Sequence, residues 1–102
     1  MAIGSISPFR PTGTVNIAAT TTSQTIALAG GGETVVAINA TAALAYVRFG
    51  SDASVTASTV DMPLLPNSRA VLSVNSLIGF AAAVLANGTG TVLFTRGDGS
   101  YI

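Results

Sequence analysis

Four acids, Glu33, Asp52, Asp61 and Asp98, and four arginines, Arg10, Arg48, Arg69 and Arg96, are all the charged side chains this sequence has for chemistry. It contains no His, Lys or Cys. A Ser or Thr nucleophile needs a base beside it, and here that base would have to be a carboxylate or the α-amino group. Paired carboxylates for glycoside hydrolysis would have to come from the same four acids, which all fall in expected turns. The residue types therefore predict no enzyme, no catalytic residues and no cofactor. Asp52 and Asp61 flank the 51–61 segment, where they and backbone carbonyls could hold Ca²⁺. Aspartates at such positions more commonly cap turns, and that reading is preferred, so no metal site is expected.

Three short patterns invite sharper readings. Gly30-Gly31-Gly32 has the look of a phosphate cradle, but a phosphate loop needs a Lys and a Ser or Thr at fixed offsets and a helix behind it. None follows, so the glycines read as a hairpin turn. Arg96-Gly97-Asp98 spells the tripeptide that integrins recognise, yet Gly-Asp-Gly is ordinary turn chemistry and a three-residue match arises by chance. A sugar site could draw on the many Thr and Ser residues, but Trp is missing and Tyr46 and Tyr101 are the only tyrosines. A solvated or inter-subunit strand face is the simpler reading.

The elements that position these residues are strands. Residues 1–13 hold Gly4, Pro8, Pro11 and Gly13 without a steady period, which predicts an extended N-terminal arm over those residues, anchored by Ile3, Ile6 and Phe9. From Thr14 the pattern alternates, with Val15, Ile17 and Ala19 on one face. A second strand carries Gln24, Ile26 and Leu28 on one face. Val35 and Ala37 then oppose Val36 and Ile38, a pattern that predicts burial on both faces. A turn over residues 39–42 leads to Ala43–Phe49, with Ala45, Val47 and Phe49 facing the core, and these two strands read as a hairpin. Residues 55–60 read as a loop or weak edge strand.

Asp61–Val74 punctuates the chain. Proline has no N–H and is confined to sheet edges and bulges, so Pro63 and Pro66 predict an edge segment where one sheet ends and another begins. After a turn at Asn67-Ser68, the run Ala70–Val74 alternates as a strand. Leu77–Ala86 is the most apolar stretch and reads as a central strand. Asn87-Gly88 then predicts a type I′ hairpin into Gly90–Thr95, because both central positions of that turn require positive φ. Seven to eight short strands with no helical period predict an all-β fold, an antiparallel β-sandwich of jelly-roll type over residues 14–102 behind the 1–13 arm.

The 102 residues make one domain, able to bury roughly 60 to 70% of its unfolded surface. Charged residues are 8% of the chain and the net charge is zero, whereas soluble surfaces usually carry about a quarter or more. That deficit predicts an assembled protein. Four scattered arginines make no basic patch, so no nucleic-acid partner is expected. The N-terminus lacks a basic region and a continuous apolar stretch, which predicts no secretory leader. The longest apolar run, Ile78–Ala86, is far short of the roughly 20 residues that cross a bilayer, which predicts no membrane insertion.

With the strands in place, the chain resembles small virion proteins of tailed bacteriophages along most of its length. The matching stretches are Phe9-Arg-Pro-Thr-Gly13 leading into Val15-Asn-Ile17, the Thr-Ser run, and Ile26-Ala-Leu28-Ala-Gly30. Tyr46-Val-Arg-Phe-Gly50, Met62-Pro-Leu-Leu-Pro66 and the Gly-rich ending after Phe94 complete them. The resemblance implies a capsid decoration, or cement, protein made in the bacterial cytoplasm and carried on the virion surface. It would act by binding alone, clamping adjacent major capsid subunits as a homo-oligomer, a trimer before a dimer. Ile3, Ile6, Phe9 and Arg10 would form the capsid-contact arm. Met62, with Leu64 and Leu65 held between Pro63 and Pro66, could form a rim that meets a neighbouring subunit, but a plug for one end of the sandwich is the preferred reading. The alternative is a receptor- or glycan-binding knob of a fibre or tail.

Overall fold

The computed structural model describes residues 10–30, 32–75 and 77–98. The expected arm anchors Ile3, Ile6 and Phe9 lie outside the described residues. The strands are β1 (Arg10–Ala19), β2 (Gln24–Ala27), β3 (Thr34–Asn39), β4 (Ala45–Gly50), β5 (Met62–Leu64), β6 (Ser68–Ser73), β7 (Phe80–Leu85) and β8 (Gly90–Asp98). They form two four-stranded antiparallel sheets, ordered β1-β8-β3-β6 and β2-β7-β4-β5. The expected all-β sandwich is the fold found.

The strand order has a simple origin. β4 pairs with β5, β3 with β6, β2 with β7 and β1 with β8, so the ladders are the rungs of one long hairpin whose tip is the β4–β5 connection. Rolling that ribbon adds two further pairings, β3 with β8 and β4 with β7, and closes the jelly roll. Only the β4–β5 connection stays within one sheet; every other one crosses the core.

That crossing corrects three expectations. The β3–β4, Gly30–Gly32 and Asn87-Gly88 connections are not hairpins, because the strands they join lie in opposite sheets. A chain reversal has the same turn chemistry whether the two strands then hydrogen-bond or face each other across a core, so local residues do not distinguish the cases. Gly88 has φ of 73° but Asn87 is not left-handed, so the type I′ turn is not formed; Asn67, at 52°, is the positive-φ residue other than glycine among those described. The strand ends differ as well. Arg10–Gly13 belong to β1 rather than to an arm, with a register shift between Pro11 and Gly13 where proline lacks a ladder donor. β7 starts at Phe80 rather than Leu77, and β8 runs on through Asp98.

Alternation sends Ile17, Val35, Ala37, Ala45, Val47, Leu64, Ala81, Ala83, Leu85, Val92 and Phe94 into one core. Phe94 is fully buried and meets Phe49 edge-on, with ring centroids 5.7 Å apart. As expected, β7 is a central strand and Ala45, Val47 and Phe49 face the core. The outer face of β7 is buried too: Ala82 and Val84 pack with Ala57 beneath the β4–β5 connection, joined by Tyr46 and Val55.

At one end of the sandwich a buried polar clasp joins the sheets. Asn39, fully buried at the end of β3, donates from Nδ2 to Leu64 O of β5 at 2.9 Å and to Ala43 O at 2.8 Å. Its Oδ1 accepts from Thr41 N at 3.0 Å and Thr41 Oγ1 at 2.7 Å, and Asn67 N donates to Thr41 O at 3.1 Å. A Cβ on Gly90 would overlap Thr41 Cγ2, so the neighbouring strand is cut back to glycine there. Among the described residues no buried side-chain nitrogen or oxygen lacks a partner. Asn39→Ala removes the Asn39 partner of Leu64 O and Thr41 N, while Thr41 Oγ1 and Ala43 O keep each other, and is expected to lower stability by about 2 kcal/mol. Urea unfolding, with the far-UV spectrum as a check that the sheets persist, measures it.

Candidate interaction surface

The groups singled out for chemistry are dispersed, and most serve local structure. Asp52 caps its own turn, accepting hydrogen bonds from Ser54 Oγ and, at 2.9 Å, from Ser54 N. The Ser54 hydroxyl first, and the Ser54 amide second, hold the Asp52 carboxyl below the usual aspartate value. Asp61 accepts from Ser58 N at 2.7 Å and lies 3.6 Å from the Arg48 guanidinium. Both aspartates are thus turn caps, and the described residues contain no cluster of three or more acids fit to hold a metal.

Arg96 is the exception to an exposed charge. Its position on β8 points it inward at the end of the sandwich opposite the Asn39 clasp, where it is 4% exposed. Nε donates to Gly32 O at 3.0 Å, Nη1 to Ile78 O at 2.5 Å and Nη2 to Asn75 O at 3.2 Å. A planar guanidinium has donors enough to satisfy several carbonyls at once, so one side chain ties the β2–β3 and β6–β7 connections to β8. Gly32 approaches β8 so closely that a Cβ would overlap Gly97 O, and its φ is 87°. Among the described glycines of the Gly-rich turn, Gly32 therefore needs glycine, while at Gly30 a Cβ would meet nothing. The Arg96-Gly97-Asp98 tripeptide is a strand segment with its arginine buried, which removes it as an exposed adhesive loop.

What remains exposed is organised by the two sheets unequally. The outer face of the β2-β7-β4-β5 sheet is covered by the 51–61 connection, held by Thr25 Oγ1 donating to Val55 O at 2.8 Å and by Ala57 N donating to Ser23 Oγ at 2.9 Å. Tyr46 lies partly under that cover and offers no open platform for a sugar ring. On the other sheet, register places Asn16, Leu93, Ile38 and Arg69 in one outward row. Thr14, Thr95, Val36 and Val71 form the next, with the two threonine hydroxyls 2.7 Å apart and Val36 itself buried between its neighbours. No described loop packs over these rows, and in them Arg69 is the one charged side chain. A depression of about 370 Å³, lined by Ile38, Asn39, Ala40, Asn67, Ser68 and Arg69, continues the face toward the Asn39 clasp.

The residues weighed for a subunit interface separate. Leu64 is 2% exposed and plugs the sandwich, as the preferred reading has it, while Met62 packs on the core and is half-buried. Alternation along β5 turns Leu64 inward; Leu65, just past the strand, points away and is 65% exposed. Pro63 stands on an edge strand opposite Tyr46, as expected of a residue with no ladder donor. Arg10 is exposed at the start of β1, opposite Asp98 in register. Reading the sequence for sites missed the Val36–Val71 face. Its available signal was two-faced apolarity in β3, which implied cover on both sides without telling which side the chain itself would cover.

In comparisons with known proteins, no family model, no curated protein and no solved structure matches the chain.

Two measurements test these assignments. Arg96→Met removes the guanidinium donors from Gly32 O and Ile78 O, leaving Asn75 O with Ile78 N, and is expected to cost about 2 kcal/mol in urea unfolding, with Arg96→Lys recovering part of the loss. In NMR titration Asp52 should titrate below an ordinary aspartate, and Ser54→Ala should move it back up. Because the folded carboxyl binds its proton more weakly than the unfolded one, its contribution to stability is present above the unfolded value and is lost as pH falls through the folded one.

Proposed function

We propose that this chain is a structural binding protein of the capsid-decoration type, which attaches to a bacteriophage shell in many copies and performs no catalysis. The observation that carries this reading is the outer face of the β1-β8-β3-β6 sheet. It is apolar at Ile38, Val71 and Leu93, with Val36 buried between its neighbours, carries Thr14, Asn16 and Thr95 in the same rows, and bears a single charge at Arg69. Depletion of charge is the compositional mark of an interface centre, and this face has it while the opposite sheet has its own loop for cover. The chain-wide scarcity of charge, 8%, fits the same reading.

The mechanism is binding through repetition. The jelly roll, closed at both ends by polar clasps, supplies a rigid body that loses little freedom on docking. Sister copies pack through the neutral sheet face, making a homo-oligomer, and segments at the N-terminal end of β1, beginning from exposed Arg10, reach the major capsid subunits. Individual contacts are weak; a closed oligomer on a symmetric shell engages several at once, which raises the effective affinity far above that of any one contact. The resemblance of the 9–17, 46–50 and 62–66 stretches to small virion proteins supports the shell as the partner.

Val71 is 45% exposed on the edge strand β6, so Val71→Glu should leave the fold intact and place a charge in the interface. Sedimentation velocity is expected to show an oligomer for the native chain and a monomer for the variant, and co-sedimentation with shells of the major capsid protein should weaken in parallel. A native chain that stays monomeric and fails to bind shells, or that occurs in a few copies per particle at the tail, overturns the reading.

A further inference from the structure

We infer that Asn87 is a built-in site of spontaneous chemical modification, where the side-chain amide converts to a mixture of aspartate and isoaspartate. The connection between β7 and β8 brings together the three conditions this conversion needs. The next residue is Gly88, whose backbone nitrogen has no Cβ beside it to hinder approach, and a Cβ there would meet nothing within 4 Å. Asn87 and Gly88 are both exposed, so water can reach the site. Among the described residues the Asn87 side chain makes no hydrogen bond that would hold its carboxamide away from that nitrogen. Asn87 and Gly88 lie between β7 and β8 and in neither strand, so no ladder pairing holds the Gly88 nitrogen.

The step is balanced without any co-reactant except water. The Gly88 amide nitrogen, on losing its proton, attacks Asn87 Cγ; the bond from Cγ to the side-chain nitrogen breaks and ammonia leaves, taking up a proton. Water then opens the five-membered imide at either carbonyl. Opening at one carbonyl gives aspartate; at the other it carries the backbone through the former side chain as isoaspartate. The remaining asparagines are protected in distinct ways. Asn39 is fully buried with its carboxamide engaged on both sides. Asn16 is clamped in the β1–β8 ladder opposite Leu93, and Asn75 Oδ1 accepts from Leu77 N at 2.8 Å. Asn67 and Asn75 are also followed by serine, whose Cβ crowds the attacking nitrogen.

The product keeps the sandwich, since no other part of the fold depends on the Asn87 side chain, and each converted copy gains one negative charge on a chain whose net charge is zero. The full chain is incubated at neutral and at mildly alkaline pH, separated by ion exchange, and mapped by peptide mass spectrometry with enzymatic methylation as the probe for isoaspartate. Acidic species are expected to accumulate faster at the higher pH, with conversion at Asn87 on the order of tenfold faster than at Asn67 or Asn75, whose following serines hinder ring closure. Asn87→Gln, which would need a larger ring, should abolish the acidic species with the thermal unfolding curve unchanged. An amide retained at Asn87 while the urea-unfolded chain converts, faster conversion at another asparagine, or undiminished acidic species in Asn87→Gln each overturn the inference.

Discussion

Backbone hydrogen bonds between strands far apart in sequence hold this protein together, above all the ladder that joins Arg10–Ala19 to Gly90–Asp98. That ladder closes the longest loop in the fold, because its two strands are the outer ends of a single rolled ribbon. The entropic cost of closing so long a loop is offset late, when both sheets already exist to bury Phe94, Val35 and Val92 between them. A fold of this kind is expected to assemble slowly for its size and to depend on the connections that steer the ribbon from one sheet to the other.

The connections are where this sequence concentrates its polar hydrogen bonding. A chain that crosses between sheets must turn near the core's ends, and its backbone groups there cannot all join a ladder. Asn39 answers that need at one end by mimicking a turn of backbone while reaching across to Leu64 of the other sheet. Arg96 answers it at the opposite end with three carbonyl partners. Burying a guanidinium without an acid beside it is costly, and satisfying its donors is what makes it tolerable. Both side chains act as struts, and neither is placed to do chemistry on a substrate.

With the interior and ends closed in this way, the two outer faces differ in a manner that bears on function. The long β4–β5 connection is the tip of the ribbon, and it folds back over its own sheet to bury Ala82 and Val84. The other sheet has no comparable tip, because its strands are joined only through crossings. Its outward Ile38, Val71 and Leu93 are thus left without cover from the described loops, while Val36 is closed in by its neighbours. In a chain with so few charges, that face and the isolated Leu65 and Leu77 are the surfaces on which a binding role would rest.

The sequence by itself determined the class of fold, because alternation of apolar residues with period two is a local property of each strand. It also placed the edge at Pro63 and a central strand within Leu77–Ala86, where a missing N–H and a nearly continuous apolar run are decisive without any partner. The pairing of strands was decided only by tertiary structure. The turns at residues 40–44 and 86–89 reverse the chain with the same residues that make hairpins, and which strand a reversed segment then bonds depends on the whole ribbon. Tertiary structure likewise decided the fate of individual side chains. Arg96 and Asn39 look like turn residues in the sequence and are buried struts in the fold, whereas Leu64 and Leu65 look alike and separate into core and surface. Burial depends on what lies opposite, and for this chain what lies opposite comes from the far end of the sequence.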